Sequence, residues 1–404
     1  MAREIDLDAL IRGCADSATD SGIRLHTELE PLNGRGGPVK PAVYASNSGP
    51  RFQEDRRWAS VDDTEPTHII VIDNMPSQTN RLEDALRRER ESVGVPELVL
   101  DLSDLPHLPS HLPRRISSLQ FPHRNADAYL RDAMLGEENF LATDIGKDIF
   151  GATAQTCGPL MAWFPQSLLF GFWQSHLGKK RSNTKHARSW VSEIVGWQPA
   201  AAETRTHGMK GDPLNLNIDS KLRIDPNDQT KWDITTEARN RDRSDEGKGT
   251  RLSEIGHGQA LFREMEQAPA AVSFMRITQQ ATVSFAQLRR VSLGDDRPSA
   301  DAAARALLVA LGLHAHNLAF GRGFALRSGA ELEPRKTTAT WLGGGSDESC
   351  ETGDGLATAN LLQEARTHAA SEGVPLDGWS RQVILKPKPQ LRKTILETWP
   401  ELDG

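Results

Sequence analysis

The chain has 404 residues, 37% of them hydrophobic, with a formal net charge of -7 and a mean hydropathy of -0.51. That apolar fraction can build a core, while 33 glycines and 23 prolines put long polar loops around it, so one elaborated domain is expected. The apolar runs HIIVIDN and LLFGFW fall far short of the roughly 20 residues that span a bilayer, and the N-terminal MAREIDLDALIRG lacks a basic-then-apolar signal pattern; the expected location is cytoplasmic.

Cys14, Cys157 and Cys350 are odd in number, widely spaced and without a C-x-x-C pair, which speaks against a disulfide framework or a cysteine zinc site and for buried thiols. The acid excess is the main compositional objection to nucleic-acid binding, because phosphate contacts need local positive potential. Distribution matters more than the sum. Lys179, Lys180, Arg181, Lys185 and Arg188 fall in a stretch without an acid, whereas acids concentrate at Asp295, Asp296 and 347–351. This reads as a basic track on an acidic body or as a solvated loop.

Residues 23–32 alternate, with Leu25, Thr27 and Leu29 on one face and Arg24, His26, Glu28 and Glu30 on the other, and predict a half-buried strand ending at Pro31. The following NGRGGPVKP carries Arg35 and Lys40 on a glycine- and proline-rich loop that either approaches a phosphate or forms a plain surface turn. After the apolar strand 68–72, Asn80 with Glu83 three residues later fits a capping box. A helix LEDALRRERE is expected to follow, supported by Glu83–Arg87 and Asp84–Arg88 pairs. Strand, polar turn and helix then join at 76–81, where Ser77, Gln78, Asn80 and Arg81 either cap the helix or donate to a phosphate or base edge.

Prolines throughout 101–122 exclude a helix and predict a packed loop, and they remove the geometry by which His107 and His111 would share a metal. Apolar residues at helical spacing over 143–164 predict a core helix stopped by Pro165, after which LLFGFWQS reads as a strand. Phe170, Phe172 and Trp173 are two core residues and one surface aromatic, Trp173 being the one whose ring N–H suits a wet edge. Residues 199–249 are polar and read as a projecting or flexible insertion, with Leu214, Leu216, Ile218, Leu222 and Ile224 spaced like a short hairpin.

The last third predicts a strand over 271–285, an alanine- and leucine-rich helix over 299–313 and a returning strand over 323–332. With the earlier strand and helix, this order is compatible with an α+β, ferredoxin-like fold of the RNA-recognition type. His314 and His316 point about 200° apart on a helix and make no chelating pair. Residues 343–355, GGGSDESCETGDG, read as a flexible linker, followed by a helix near 357–371 and a basic KPKPQLRK segment that is a docking arm or mere surface. No nucleophile elbow, H-E-x-x-H, Walker or dinucleotide fingerprint occurs, and no cofactor or metal is expected. Asp73 ends the apolar strand beside the polar turn and is given a turn or hydrogen-bonding role.

The strings THIIVIDNMPSQTNRLE (67–83), LLFGFWQSH (168–176), SEIVGW (192–197), RLSEIGHG (251–258) and LRSGAEL (326–332) together resemble one family. It is the backbone subunit of the type I-G (formerly I-U) CRISPR Cascade complex, in the RAMP superfamily of guide-RNA-binding proteins. The resemblance runs from about Leu25 to Leu332. It implies a palm on the RNA-recognition fold over 1–342 with finger and thumb insertions, then the linker 343–355 and a C-terminal helical and basic segment 356–404. It implies a non-catalytic subunit that oligomerises along the spacer of a CRISPR guide RNA, with other Cascade subunits capping the RNA ends and target DNA as the recognised strand. The RNA-contacting residues implied are Arg35, Lys40, Ser77, Gln78, Asn80, Arg81, Trp173, His176, Lys179, Lys180, Arg181, Arg188, Arg251, His257, Arg322 and Arg327. Two other readings stand beside it. One is a metal-independent CRISPR-RNA-processing endonuclease of the same superfamily using His176 or His257; the other is a metabolic α/β enzyme.

Overall fold

The computed structural model describes residues 3–45, 51–175, 184–200, 208–210, 213–214, 221–225, 228–235, 260–262, 271–294 and 296–399. They fall into two compact units. Met1–Ala42, Gln53–Pro199 and Ser273–Gly404 make the first, and Val43–Phe52 with Ala200–Val272 the second.

The first unit is an α+β structure whose main sheet is assembled from segments spread over the whole chain. In chain order its principal elements are β1 (Arg3–Glu4), α1 (Leu7–Cys14), β2 (Gly22–Pro31), β3 (Arg51–Arg57, of which residues 53–57 belong to this unit) and β4 (Thr67–Asp73). After α2 (Met75–Arg88) come β5 (Trp190–Pro199), β6 (Phe274–Ser284), α3 (Pro298–Phe320), β7 (Glu331–Leu342), β8 (Asp347–Glu351) and α4 (Gly355–Ser371). The sheet order is β1-β8-β7-β2-β6-β5-β4-β3. Every neighbouring pair is antiparallel except β1 with β8.

The alternation of β2 sets the two sides of this sheet. Ile23, Leu25, Thr27 and Leu29 are buried, while Arg24, His26, Glu28 and Glu30 stay at least partly open. The buried face meets α3, whose Gly312 lies against Trp190 of β5, and α3 also packs against α1, α2 and α4. Being covered on all sides, α3 needs no polar stripe. By length and composition it would cross a membrane, but 83% of its apolar window lies inside the protein. It is therefore a longer apolar segment than either run singled out above, and it is core.

A smaller sheet orders Arg115–Ser117, Glu97–Asp101, Gln382–Pro387, Ala133–Leu135 and Glu138–Asn139. The basic C-terminal segment joins it. Gln382–Pro387 runs parallel to Glu97–Asp101, Lys386 reaches Asp101 at 3.2 Å, and Arg392 reaches Asp104 at 3.0 Å. In the second unit, Gly208–Lys210 pairs with Ala260–Phe262 and Lys221–Asp225 with Asp228–Thr235. The expected hairpin thus holds Leu222 and Ile224; Leu214 lies in a turn, and Leu216 and Ile218 lie outside the described residues.

Four expectations are corrected. Residues 143–164 form two helices, Asp144–Gly151 and Gly158–Trp163, because Pro159 starts a new helix after a turn. Leu168, Leu169 and Phe170 belong to a third, Pro165–Phe170, and only Phe172–Gln174 is strand; Gly171 separates them at φ 81°. The stretch 343–355, expected as a linker, contains β8, which pairs with β7 and β1. Finally, α2 starts at Met75. Its cap is Asn74, whose side chain accepts from Ser77 N at 3.2 Å, so Asn80 stands in the helix and Asn80 with Glu83 is no capping box. Glu83 is buried against Arg124 and leaves Arg87 to Asp84, while the expected Asp84–Arg88 pair forms at 2.6 Å.

Candidate nucleic-acid interface

The last residue of β4, Asp73, is 0% exposed and organises the start of α2. Its Oδ1 accepts from Ser77 Oγ at 2.8 Å, from Arg81 Nη2 at 3.3 Å and from Arg327 Nη2 at 3.1 Å. Oδ2 accepts from Gln78 Nε2 at 2.5 Å and Arg81 Nε at 2.9 Å. One buried carboxylate thus faces two guanidinium groups, with hydrogen bonds enough to offset its desolvation. The local charge is net positive.

Arg327 reaches this carboxylate from the turn before β7 and also donates to the carbonyls of Lys40 and Ile72, at 3.0 and 3.1 Å. Lys40 N in turn donates to the carbonyl of Gly329 at 2.6 Å. The glycine-rich loop with Arg35 and Lys40, the polar turn and the LRSG turn, remote in sequence, are therefore neighbours. Arg35 itself is exposed beside the open face of β2 and β6, in a cleft it shares with His26, Arg276 and Arg335. Arg276 lies over the Trp197 ring at 4.6 Å, and with Arg24 it adds to burial in lowering the pKa of His26.

Gln78 is a correction. It is 0% exposed, its amide nitrogen is bound to Asp73, and its Oε1 accepts from Gln279 Nε2 at 2.7 Å and Ser192 Oγ at 3.4 Å. It ties α2 to β5 and β6 and has no atom to offer a ligand. Ser77 is partly exposed but spends its hydroxyl on Asp73. Arg81 keeps 26% of its side chain exposed and Asn80 is exposed; both open onto a cleft of about 1020 Å³ between α2 and the segment 317–325. Arg322 stands on the opposite wall, exposed and unpaired among the described residues. Arg88 adds a third cation, engaged by Asp84.

The aromatic and basic ribbon lies elsewhere in the first unit. Phe170 and Phe172 are buried and Trp173 is 62% exposed, opposite Lys185 on the paired strand Thr184–His186. Arg188 follows that ribbon, close to the ion pair in which Arg124 grips both Glu83 oxygens at 2.7 and 2.9 Å. Burial and the Arg124 charge pull the Arg188 pKa down; burial pushes that of Glu83 up, and Arg124 opposes the rise. His176, Lys179, Lys180, Arg181, Arg251 and His257 lie outside the described residues.

Of the residues named from sequence, the structure brings Ser77, Asn80, Arg81 and Arg322 to one cleft and sets Arg327 behind it on Asp73. Sequence reading missed Asn317 and Phe324 on the far wall, Arg88 as a lining residue, and the Ser192–Gln279–Gln78 chain behind it. The alternation of β5 and β6 held a signal for that chain, since Ser192 and Gln279 sit at buried positions of otherwise apolar faces.

The α+β chain thus carries a cleft lined by Arg81, Arg88 and Arg322, with Arg81 held by the buried carboxylate of Asp73. Residues 23–200, less than half of the chain, are similar to the family described as CRISPR-associated protein GSU0053 (Cas_GSU0053). No match was found among curated proteins. The matched stretch includes Asp73 and all of α2.

Proposed function

We propose that this protein is a non-catalytic guide-RNA-binding backbone subunit of a type I-G CRISPR interference complex, oligomerising along the guide for target DNA recognition. The observation that carries the reading is the cleft beside α2, where Arg81, held by Asp73, faces the unpaired Arg322 across a space open to solvent. Arginine forks suit phosphate, and reading phosphates while leaving sequence to base pairing is how a guide-holding subunit works. The match to a CRISPR-associated family supports the same reading. So does topology: among β2, β5, β6 and β7, the first and third strands are central and the second and fourth flank them, as a ferredoxin-like palm requires. Asp73 fits the non-catalytic part, since its carboxylate is buried under five donor contacts and has no room for a metal or a scissile phosphate.

Co-expression with a CRISPR array and the other Cascade subunits tests this. A discrete small RNA should co-purify with a multimeric protein in light scattering. Arg322→Ala should weaken guide binding without shifting the melting temperature, and flatten the dependence of log K on log salt by about 0.7 per lost phosphate contact on a single strand. A monomer free of RNA would refute the reading. Repeat-RNA cleavage in chelator would replace it with the processing endonuclease.

A further inference from the structure

We propose that Asp73 is a positioning residue for the anion-binding edge of Arg81, an inference that rests on the reading of the α2 cleft as an RNA site. Arg81 turns its Nε and Nη2 inward, both onto Asp73, and Nη2 also donates to the carbonyl of Leu326 at 3.0 Å. Its Nη1 bonds to no described protein group, and the side chain lines the cleft. A guanidinium is planar, so fixing one edge fixes the direction of the other. An arginine free to rotate would lose its rotamer freedom on gripping a phosphate, and one already clamped has lost it on folding.

The clamp is itself clamped. Arg327 and Ser77 hold Oδ1 of Asp73, and Gln78 holds Oδ2 while gripped by Gln279 of β6. The carboxylate therefore cannot swing after Arg81 or release it, and the two guanidinium groups leave the site one positive charge in excess. Asp73 touches no ligand in this arrangement; it acts through Arg81.

Simple electrostatics and positioning predict opposite signs for Asp73→Asn. Removing a negative charge raises the local potential and should tighten an anion; removing the clamp should loosen it. Fluorescence anisotropy with a labelled single-stranded guide RNA, over a salt series, decides between them. The expected result is a loss of about tenfold in affinity, the size of one hydrogen bond to a charged group. The salt slope should stay as in the wild type, because every cation remains. Arg81→Lys, which keeps the charge and loses the fork, should weaken binding similarly. In an Arg81→Ala background, Asp73→Asn should change affinity by less than about twofold. Tighter or unchanged binding by Asp73→Asn, or an equal loss in both backgrounds, would overturn the proposal.

The side-chain Nε–H resonance of Arg81, assigned by its absence in Arg81→Ala, gives a readout without RNA. It should be sharp and slowly exchanging in the wild type. A fast-exchanging signal there would sink the positioning role whatever RNA does, and also if Asp73→Asn fails to fold. A held Arg81 in a protein that binds no RNA would instead remove the RNA reading and leave the clamp standing.

Discussion

The thiols of Cys14, Cys157 and Cys350 are all buried, and burial pushes Cys14 and Cys157 up to about 12. A thiolate is the reactive form, so a shift of that size removes nearly all of it at neutral pH. The folded protein should not react with a thiol-specific disulfide reagent at pH 8 over minutes, and denaturation should release all 3 cysteines of the chain. Fast reaction of one thiol in the native state would show that its surroundings open. Arg305 is another residue whose role is set by burial: its guanidinium donates to the carbonyls of Cys14, Arg289 and Val291 and to Asp16, fastening the end of α1 to the loop before α3. An arginine in an alanine-rich helix looks like a surface residue; here it is a core fastener.

At the scale of elements, α3 carries the packing. Gly312 lies where a methyl group would stand 2.7 Å from Trp190 Cε3 and 3.2 Å from Leu169 Cδ2. Helix propensity favours Gly→Ala in a helix by about 1 kcal/mol, while overpacking a filled core costs about 1–3 kcal/mol. Trp190 is fully buried and cannot retreat, so the second effect should win. Gly312→Ala is expected to lower stability by about 1–2 kcal/mol in denaturant melts. Gly151, at the end of its helix with nothing within 4 Å of its virtual Cβ, is the control: Gly151→Ala should be neutral or slightly stabilising.

For the whole molecule, acid is the weak point. Burial holds His316 down to about 4 from 6.5, and lowers His314 and His186 in the same direction. The His316 ring packs between Trp190 and Phe320, and its Nδ1 has no hydrogen-bond partner among the described residues. A depressed histidine pKa means the unfolded chain takes up protons first as pH falls. The stability contributed is therefore full above about 6.5 and is lost on descending to about 4, by about 3 kcal/mol at most for His316. Melting temperatures between pH 8 and pH 4 should fall less for His316→Leu than for the wild type. Parallel curves would show that His316 does not set the acid sensitivity.

Much of the framework was legible from local pattern. The alternation of β2, the apolar run of β4, the spans of β6 and α4, the burial of two of the three aromatics at 170–173 and the exposure of Trp173 all follow from periods of two and 3.6 residues and from the wish of apolar groups to leave water. Residues 67–83 also carried the chemistry of the site, because an aspartate, a serine, a glutamine and an arginine follow an apolar strand there within nine residues of one another. What those side chains do was decided by contacts between distant segments. Whether Gln78 faces solvent or the sheet depends on Gln279 and Ser192, and whether Glu83 caps or is buried depends on Arg124. Arg327 joins Asp73 only because β7 runs antiparallel to β2 and returns the preceding turn to the end of β4. A sequence window records which groups can hydrogen-bond; the desolvation of a buried carboxylate, and the partners that offset it, exist only once the chain has brought residues some 250 apart into one place.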